Sequence, residues 1–171
     1  GAVATADRVV TTSPTYAHSL ESPERFGALS RVFREAPDVL GILGGVDYSL
    51  YNPATDPALV SRFDAEDLSN KGRNKSAVLR ELELDLDMSR PLFFAQAVRG
   101  GNSALDTLAA SLRSLLKNDL QLVVVSDEAH ADKLEAAAAD YKDAVRVLRQ
   151  APERQLRRLW AAADFYLGLE R

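Results

Sequence analysis

The chain has 171 residues, of which 46% are hydrophobic and 27% charged, a composition typical of one globular domain with a substantial core. The formal net charge of −4, with both signs interspersed, argues against a nucleic-acid partner and against a basic membrane face. The absence of cysteine and the presence of only two histidines exclude disulfides, thiolate chemistry and the common zinc motifs, so we predict no metal and no cofactor. No apolar run has the roughly 20 residues of a membrane span and no leader-like segment opens the chain, so we expect a cytoplasmic protein.

The first part of the chain alternates short β-branched runs with short helical segments. Ser13 or Thr15 is suited to cap a helix that follows the first run. Ser22 and Pro23 provide a cap and a first helical residue for a second helix. We therefore predict strands at 8–12 and 39–43, and helices at 16–20 and between Ser22 and Pro37.

The middle of the chain is expected to be less regular. Residues 48–64 contain two prolines and several turn formers, which predicts an ordered loop. Residues 65–84 carry apolar residues at helical spacing, but their centre, 70–75, is polar and contains a glycine. The helix is therefore predicted within 65–84, beginning either near the start of this segment or only after 75.

The second half of the chain alternates strands with helices at an even spacing. This alternation is typical of a parallel sheet whose two faces are covered by helices, with right-handed crossovers. We predict an α/β fold in one domain over 1–171, with a mostly parallel sheet of about six strands and helices on both faces. The predicted strands are 92–98, 120–125, 145–148 and 165–169, and the predicted helices are 104–117, 129–141 and 152–162.

The turn after the strand at 92–98 is the first candidate site. In open α/β sheets, ligands bind beyond the carboxyl ends of strands, and a helix start offers backbone N–H groups to an anion. The alternative is that the glycines only form a tight strand-to-helix turn. The candidate nucleotide- or anion-binding residues are Arg99, Gly100, Gly101, Asn102 and Ser103.

A second candidate follows the strand at 39–43. Gly44, Gly45 and Asp47 would either line a cleft or form a plain turn with a hydrogen-bonding aspartate. Tyr48 and Tyr51 flank the next loop, where they would stack on a sugar ring or pack against the loop.

The remaining polar and aromatic residues have simpler interpretations. His18 and His130 are expected to be a helix-flank and a surface histidine without a site role. Three aromatic residues are expected in the core: Trp160, Phe165 and Tyr166. Three arginines are expected on a solvated helix face or, alternatively, a protein-docking patch: Arg154, Arg157 and Arg158.

One long run is especially specific: ILGGVDYSLYNPATDP, at 42–57, which combines a tyrosine, an asparagine–proline pair and ATDP in one order. Other stretches continue the pattern: VVTTSPTYAHSL (9–20), FGALSRVF (26–33), DLSNKGRNKSAVLRELEL (67–84), RPLFF (90–94), LQLVVVSD (120–127) and LWAAADFYLG (159–168). In this order they resemble the bacterial glycogen synthase and plant starch synthase family. Members of this family are glucosyltransferases that build α-1,4-glucan from a nucleotide-glucose donor.

The resemblance implies two Rossmann-like lobes that close on the donor. Residues 1–60 resemble the end of the first lobe, and residues 85–171 resemble the first half of the nucleotide-binding lobe. By this resemblance, the glycine-rich loop of the first lobe would lie before Gly1, and the paired-glutamate region would lie after Arg171. A glucan or a nucleotide sugar is the implied partner.

The chain departs from the family at the implied diphosphate site. The family has an arginine near the end of the RPLFF-type strand and a lysine–glycine pair five residues on, which together bind the departing diphosphate. Without gaps, these positions hold Val98, Ser103 and Ala104 here, and Arg99 is one residue away. The family's glycine-containing loop after the LQLVVV strand is replaced by Ser126, Asp127 and Glu128. The two carboxylates of this segment would repel a phosphate.

These departures favour a catalytically degenerate relative. We expect a non-catalytic module that binds a protein partner or, more weakly, a glucan or a nucleotide. The alternative is part of an active ADP-glucose-dependent α-1,4-glucan glucosyltransferase that segments outside this chain complete, with Arg99 binding the diphosphate. A homodimer is a further expectation, because an uncovered sheet edge or apolar helix face promotes pairing of chains.

Overall fold

The computed structural model of the chain describes residues 1–36, 38–97 and 102–169, with the side chains of Asn102 and Ser103 outside this description. The sequence predicted one domain over 1–171, and the structure divides into two compact units, Gly1–Asp47 and Tyr48–Arg171. Each unit contains its own sheet.

The first unit contains a parallel pair of short strands, in which Val9 lies opposite Val39. Of the two predicted caps, Ser13 and Thr15, it is Ser13 that caps the helix Pro14–Ser19, because its Oγ accepts a hydrogen bond from the backbone N–H of Tyr16 at 3.0 Å. The predicted helix between Ser22 and Pro37 is divided in two at Gly27, whose φ of +53° interrupts the helix; Pro37 itself lies outside the described residues. The elements are α1 (Ala2–Thr5), β1 (Val9–Thr11), α2 (Pro14–Ser19), α3 (Pro23–Phe26), α4 (Leu29–Arg34) and β2 (Val39–Gly41).

The second unit contains a four-stranded parallel sheet with the strand order β5–β4–β3–β6. The predicted α/β class is therefore confirmed, and the six predicted strands are found in two sheets rather than one. The strands are β3 (Leu92–Gln96), β4 (Gln121–Val125), β5 (Val145–Leu148) and β6 (Phe165–Leu167). The helices are α5 (Lys71–Glu81), α6 (Asn102–Leu115), α7 (Glu128–Ala138) and α8 (Glu153–Ala162), with a 3-10 turn at Leu116–Asn118.

The core of the second unit lies on both faces of this sheet. Alternate residues of β4 point to opposite faces, so Leu122 packs with one cluster and Val123 with the other. The first cluster contains leucines of α6 and α7, including Leu105 and Leu134. The second contains residues of α5 and α8, including Leu159. Helices therefore cover both faces, as the alternation of strands and helices predicted.

Helix α5 begins at Lys71, within the polar segment 70–75 rather than after it. Nζ of Lys71 donates hydrogen bonds to the carbonyl oxygens of Ala161 and Ala163 at 2.8 and 2.6 Å. Nζ of Lys75 donates to the carbonyl oxygen of Arg90 and to Oδ2 of Asp164, both at 2.7 Å. The polar residues therefore join α5 to the end of α8 and to the residues before β3, and burial lowers the pKa of Lys71.

Candidate functional site

The carboxyl ends of β3 and β4 lie side by side. Gln96 is paired with Val125, and the backbone N–H of Ala97 donates to the carbonyl oxygen of Val125 at 2.9 Å. We call this place the strand-end edge. The predicted anion-binding turn follows it, but Arg99, Gly100 and Gly101 lie outside the described residues, as do the side chains of Asn102 and Ser103. That candidate site therefore stays a prediction.

The amino terminus of α7 also lies at the strand-end edge, and the side chain of Asp127 caps this terminus. Oδ1 of Asp127 accepts a hydrogen bond from the backbone N–H of His130 at 3.0 Å. Nδ1 of the His130 ring lies 2.7 Å from the same oxygen, and this hydrogen bond is the largest cause of the lowered pKa of Asp127. A carboxylate at this position occupies one N–H group and interacts with the helix dipole that a phosphate would otherwise use.

Two cationic side chains, Lys133 and Arg149, form ion pairs with carboxylates of the same chain. Nζ of Lys133 lies 2.6 Å from Oδ1 of Asp106. Arg149, the residue after β5, contacts three carboxylates of α7. Its hydrogen bonds to these carboxylates raise the pKa of Arg149, and the hydrogen bond to Glu135 has the largest effect. The three contacts are with Glu128 at 3.2 Å, Asp132 at 2.6 Å and Glu135 at 2.7 Å.

Arg149 was not among the site residues predicted from the sequence. A signal was present, because acidic residues recur at positions 128, 132 and 135, which is the spacing of one helix face. Such a face attracts a cation from the neighbouring strand end. Glu128 was expected to repel a phosphate, and its charge is here opposed by Arg149.

The second candidate turn follows β2 in the first unit. A Cβ added to Gly44 or Gly45 would meet nothing within 4 Å, and neither residue is among those with a positive φ. Neither the space nor the backbone at these two positions therefore requires glycine. The role predicted for Gly44, Gly45 and Asp47 in lining a cleft stays a prediction.

The arginines of α8 do not all lie on a solvated face. Nε of Arg157 lies 2.9 Å from Oδ2 of Asp56, and the two side chains are only 13% and 4% exposed. Nη2 of Arg158 lies 2.6 Å from Oε2 of Glu81, whereas Arg154 is exposed. The predicted solvated face is therefore wrong for Arg157, because the ATDP stretch packs its aspartate against α8.

The expectation that three aromatic residues lie in the core is also wrong. Trp160, Phe165 and Tyr166 are 43%, 55% and 42% exposed. Trp160 follows the buried Leu159 by one residue and so points about 100° away around the helix, and the other two lie on the edge strand β6. Trp160 and Tyr166 contact each other, with ring centroids 4.3 Å apart.

The two histidines differ in their surroundings. His18 is exposed in the last turn of α2. The side chain of His130 is only 14% exposed and contacts Asp127, so it contributes to the closed amino terminus of α7. Among the described residues, no group of acidic, histidine or cysteine side chains has the arrangement of a metal site. In the same residues, no helix has the length and apolar character needed to cross a membrane.

The curated proteins to which the chain is similar include several glycogen synthases. The chain is 34% identical over 168 residues to a glycogen synthase of Anaeromyxobacter dehalogenans strain 2CP-1, a match that covers 96% of this chain and 35% of that protein. A glycogen synthase of Lactobacillus acidophilus is 30% identical over 165 residues, with 95% and 35% covered. No protein-family model matches the chain.

A solved structure agrees with these relatives. The catalytic domain of starch synthase IV from Arabidopsis thaliana, bound to ADP and acarbose, matches 97% of this chain with a TM-score of 0.82 and 29% identity. The chain spans 35% of the length of that structure. The resemblance inferred from the sequence motifs is confirmed: the chain is related to glycogen synthases and starch synthases, and it corresponds to about a third of their length.

Proposed function

We propose that this glycogen synthase- and starch synthase-like chain does not transfer glucose by itself and serves as a module that binds a protein partner or, more weakly, a glucan or a nucleotide. The observation that carries the proposal is the closure of the α7 amino terminus by Asp127. Residues 1–60 would correspond to the end of the family's first lobe, and residues 85–171 to the first half of its nucleotide-binding lobe.

Electrostatics supports this proposal. A departing diphosphate needs cations or free N–H groups at the place where its charge develops. Arg149 and Lys133 are engaged with carboxylates, and the α7 amino terminus already holds the carboxylate of Asp127. By the resemblance, the family's arginine and lysine positions hold Val98 and Ser103 in this chain. At the described residues of the strand-end edge, a sugar diphosphate would therefore have to displace internal carboxylates in order to bind.

The second candidate function is part of an active ADP-glucose-dependent α-1,4-glucan glucosyltransferase that other segments complete. The chain spans only 35% of the length of the glycogen synthases it matches. The starch synthase IV neighbour is bound to ADP and acarbose. In this case Arg99 would bind the diphosphate.

Thermal unfolding with ADP, UDP and ADP-glucose separates the two functions. A nucleotide at one hundred times its dissociation constant should add about 2.7 kcal/mol to the free energy of unfolding. If the chain is a non-catalytic module, the shift at low millimolar concentration should stay well below this value with each of the three, because its binding of a nucleotide is weak. A shift that is lost in Arg99→Ala and retained in Arg154→Ala, which removes an exposed arginine, would favour the enzyme.

A homodimer is a separate part of the proposal. Strand β6 lies at one edge of the four-stranded sheet and carries the exposed Phe165. Such an edge is able to pair with another chain. Light scattering over a range of protein concentrations would measure the mass, and a monomer throughout would remove the homodimer.

A further inference from the structure

A cavity of about 150 Å³ lies in the second unit, between the loop 48–63 and helix α8. Its lining includes Tyr51, Leu59, Phe63 and Trp160, together with the ion pair of Asp56 and Arg157. We propose that this cavity binds one pyranose ring of an α-glucan chain. The inference rests on the proposed function only in taking a glucan as the ligand.

The cavity is distinct from the strand-end edge. Trp160 and Ala161 lie at the carboxyl end of α8, which leads into the amino end of β6. At this end of the sheet, Asp164 accepts a hydrogen bond from the backbone N–H of Leu92, the first residue of β3. The ring site therefore lies toward the amino ends of the strands, whereas the predicted anion-binding turn follows their carboxyl ends.

The size of the cavity suits one ring. A cavity of roughly 150 Å³ accommodates benzene in an engineered protein, whereas sites for larger ligands usually exceed about 300 Å³. Three of the lining side chains are aromatic: Tyr51, Phe63 and Trp160. Aromatic faces suit the C–H surface of a pyranose, and the hydroxyl groups of such a ring need polar partners at its rim.

The ion pair supplies these polar partners. Oδ1 of Asp56 accepts from the backbone N–H of Ala58 at 2.7 Å, and Oδ2 contacts Nε of Arg157. A carboxylate has about four acceptor positions and a guanidinium five donors, so both groups retain capacity for hydroxyl groups. Glu153, at 3.2 Å from Nη1, adds a second negative charge beside Arg157. The site therefore favours a neutral polyhydroxyl ligand over an anion.

Trp160 is held in a fixed orientation. Its ring makes a T-shaped contact with Phe94, with centroids 5.2 Å apart, and lies 4.3 Å from the ring of Tyr166. Phe94 is almost fully buried in the sheet. A platform that is already ordered loses little conformational entropy when a ligand binds.

Trp160 also provides the measurement, because it is the only tryptophan of the chain. Its fluorescence should change saturably when the full chain is titrated with maltohexaose. Affinity for one ring in a small cavity is expected to be weak, on the order of 1 mM. Saturation-transfer NMR on the unmodified protein should show transfer to the ring C–H protons of the same probe.

Two tyrosines of one loop make a matched pair of variants. Tyr51→Ala removes one aromatic wall and should weaken maltohexaose binding roughly fivefold to tenfold. Tyr48→Ala removes a tyrosine that is 74% exposed and is not among the residues that line the cavity, so it should leave the affinity unchanged. If Tyr51→Ala fails to fold, Tyr51→Leu keeps the bulk of the wall and should still weaken binding.

The proposal is overturned if maltohexaose gives no saturable change up to about 100 mM, or if Tyr51→Ala and Tyr48→Ala have equal effects. The proposal is also overturned if p-cresol, which mimics a tyrosine side chain of a protein partner, changes the fluorescence of Trp160 saturably and maltohexaose does not compete with it. None of these outcomes depends on nucleotide binding. Failure of the ring site would therefore be distinguishable from failure of the non-catalytic function, which the nucleotide titration tests.

Discussion

The ion pair between Asp56 and Arg157 allows a quantitative prediction about the stability of the second unit. Asp56 is 4% exposed and Arg157 13%, and their atoms approach to 2.9 Å. Removal of one partner of a buried pair costs about 3–5 kcal/mol, because the other charge stays buried without its partner. Glu153 remains beside Arg157 and reduces this cost. The lost hydrogen bond to the N–H of Ala58 adds about 1 kcal/mol. We expect Asp56→Ala to lower the free energy of unfolding by about 3 kcal/mol.

A double-mutant cycle tests the assignment of this cost to the pair. Arg157→Met removes the charge and keeps most of the volume. The double variant should lose less than the sum of the two single variants, with a coupling of about 2 kcal/mol, because replacement of both charges leaves neither one unpaired. Urea unfolding monitored by the fluorescence of Trp160 measures the second unit, which contains this single tryptophan.

Lys133→Ala is the control for this cycle. Its ion pair with Asp106 has a similar distance, 2.6 Å, but its two side chains are 59% and 48% exposed. Solvent screens such a pair, so the expected change is below about 0.5 kcal/mol. A loss below about 1 kcal/mol for Asp56→Ala, or a coupling near zero, would refute the reasoning from burial.

Four other substitutions test the fold and the capped amino terminus of α7. Lys75→Met should lower the free energy of unfolding by about 3 kcal/mol, since Asp164 and the Arg90 carbonyl oxygen both lose their donor; a change below about 1 kcal/mol in urea unfolding would contradict this. Gly41→Ala should unfold the first unit, because a Cβ there would lie 2.1 Å from backbone atoms of Ser13 and Pro14, whereas Gly44→Ala should not; equal hydrogen exchange in both variants would contradict this. The pKa of Asp127 is lower in the folded state than the value of about 3.9 in the unfolded state. Its ionised carboxylate therefore stabilises the fold above the unfolded pKa, and this contribution is lost as the pH falls through the folded pKa. Asp127→Asn should therefore flatten the acid limb of a stability profile, and an unchanged limb would contradict the assignment.

The architecture of the second unit was predictable because its strands and helices alternate with clear hydrophobic patterns. All five residues of β4, Gln121–Val125, are buried, which is the pattern of a central parallel strand. The division of the helix at Gly27 was not predictable in the same way, because a glycine with positive φ inside a helical pattern cannot be distinguished by sequence from a tolerated one. The start of α5 was open for a related reason. The polar side chains of Lys71 and Lys75 resemble a solvated segment until their buried carbonyl partners are known.

The site was less predictable than the fold, since it depends on contacts between distant parts of the chain. Asp56 and Arg157 are separated by about a hundred residues, and no local pattern pairs them. The same holds for Arg149 and its three carboxylates on α7, although the spacing of those carboxylates marked their helix face. The exposure of Trp160 was not predicted, because a large apolar side chain beside Leu159 on a helix that packs on a sheet is usually expected to be buried.

The two ends of the four-stranded sheet therefore differ in what they offer a ligand. At the carboxyl end, the carboxylate of Asp127 occupies a helix terminus that favours anions, and Arg149 neutralises further carboxylates instead of a phosphate. At the amino end, Trp160 and Tyr51 border a cavity whose charged pair is already internally neutral. At the described residues of the carboxyl end, an anionic donor would have to displace existing interactions in order to bind, whereas a neutral sugar ring in the cavity would not. On electrostatic grounds, the proposed binding of a glucan would therefore be independent of any capacity to bind a nucleotide sugar.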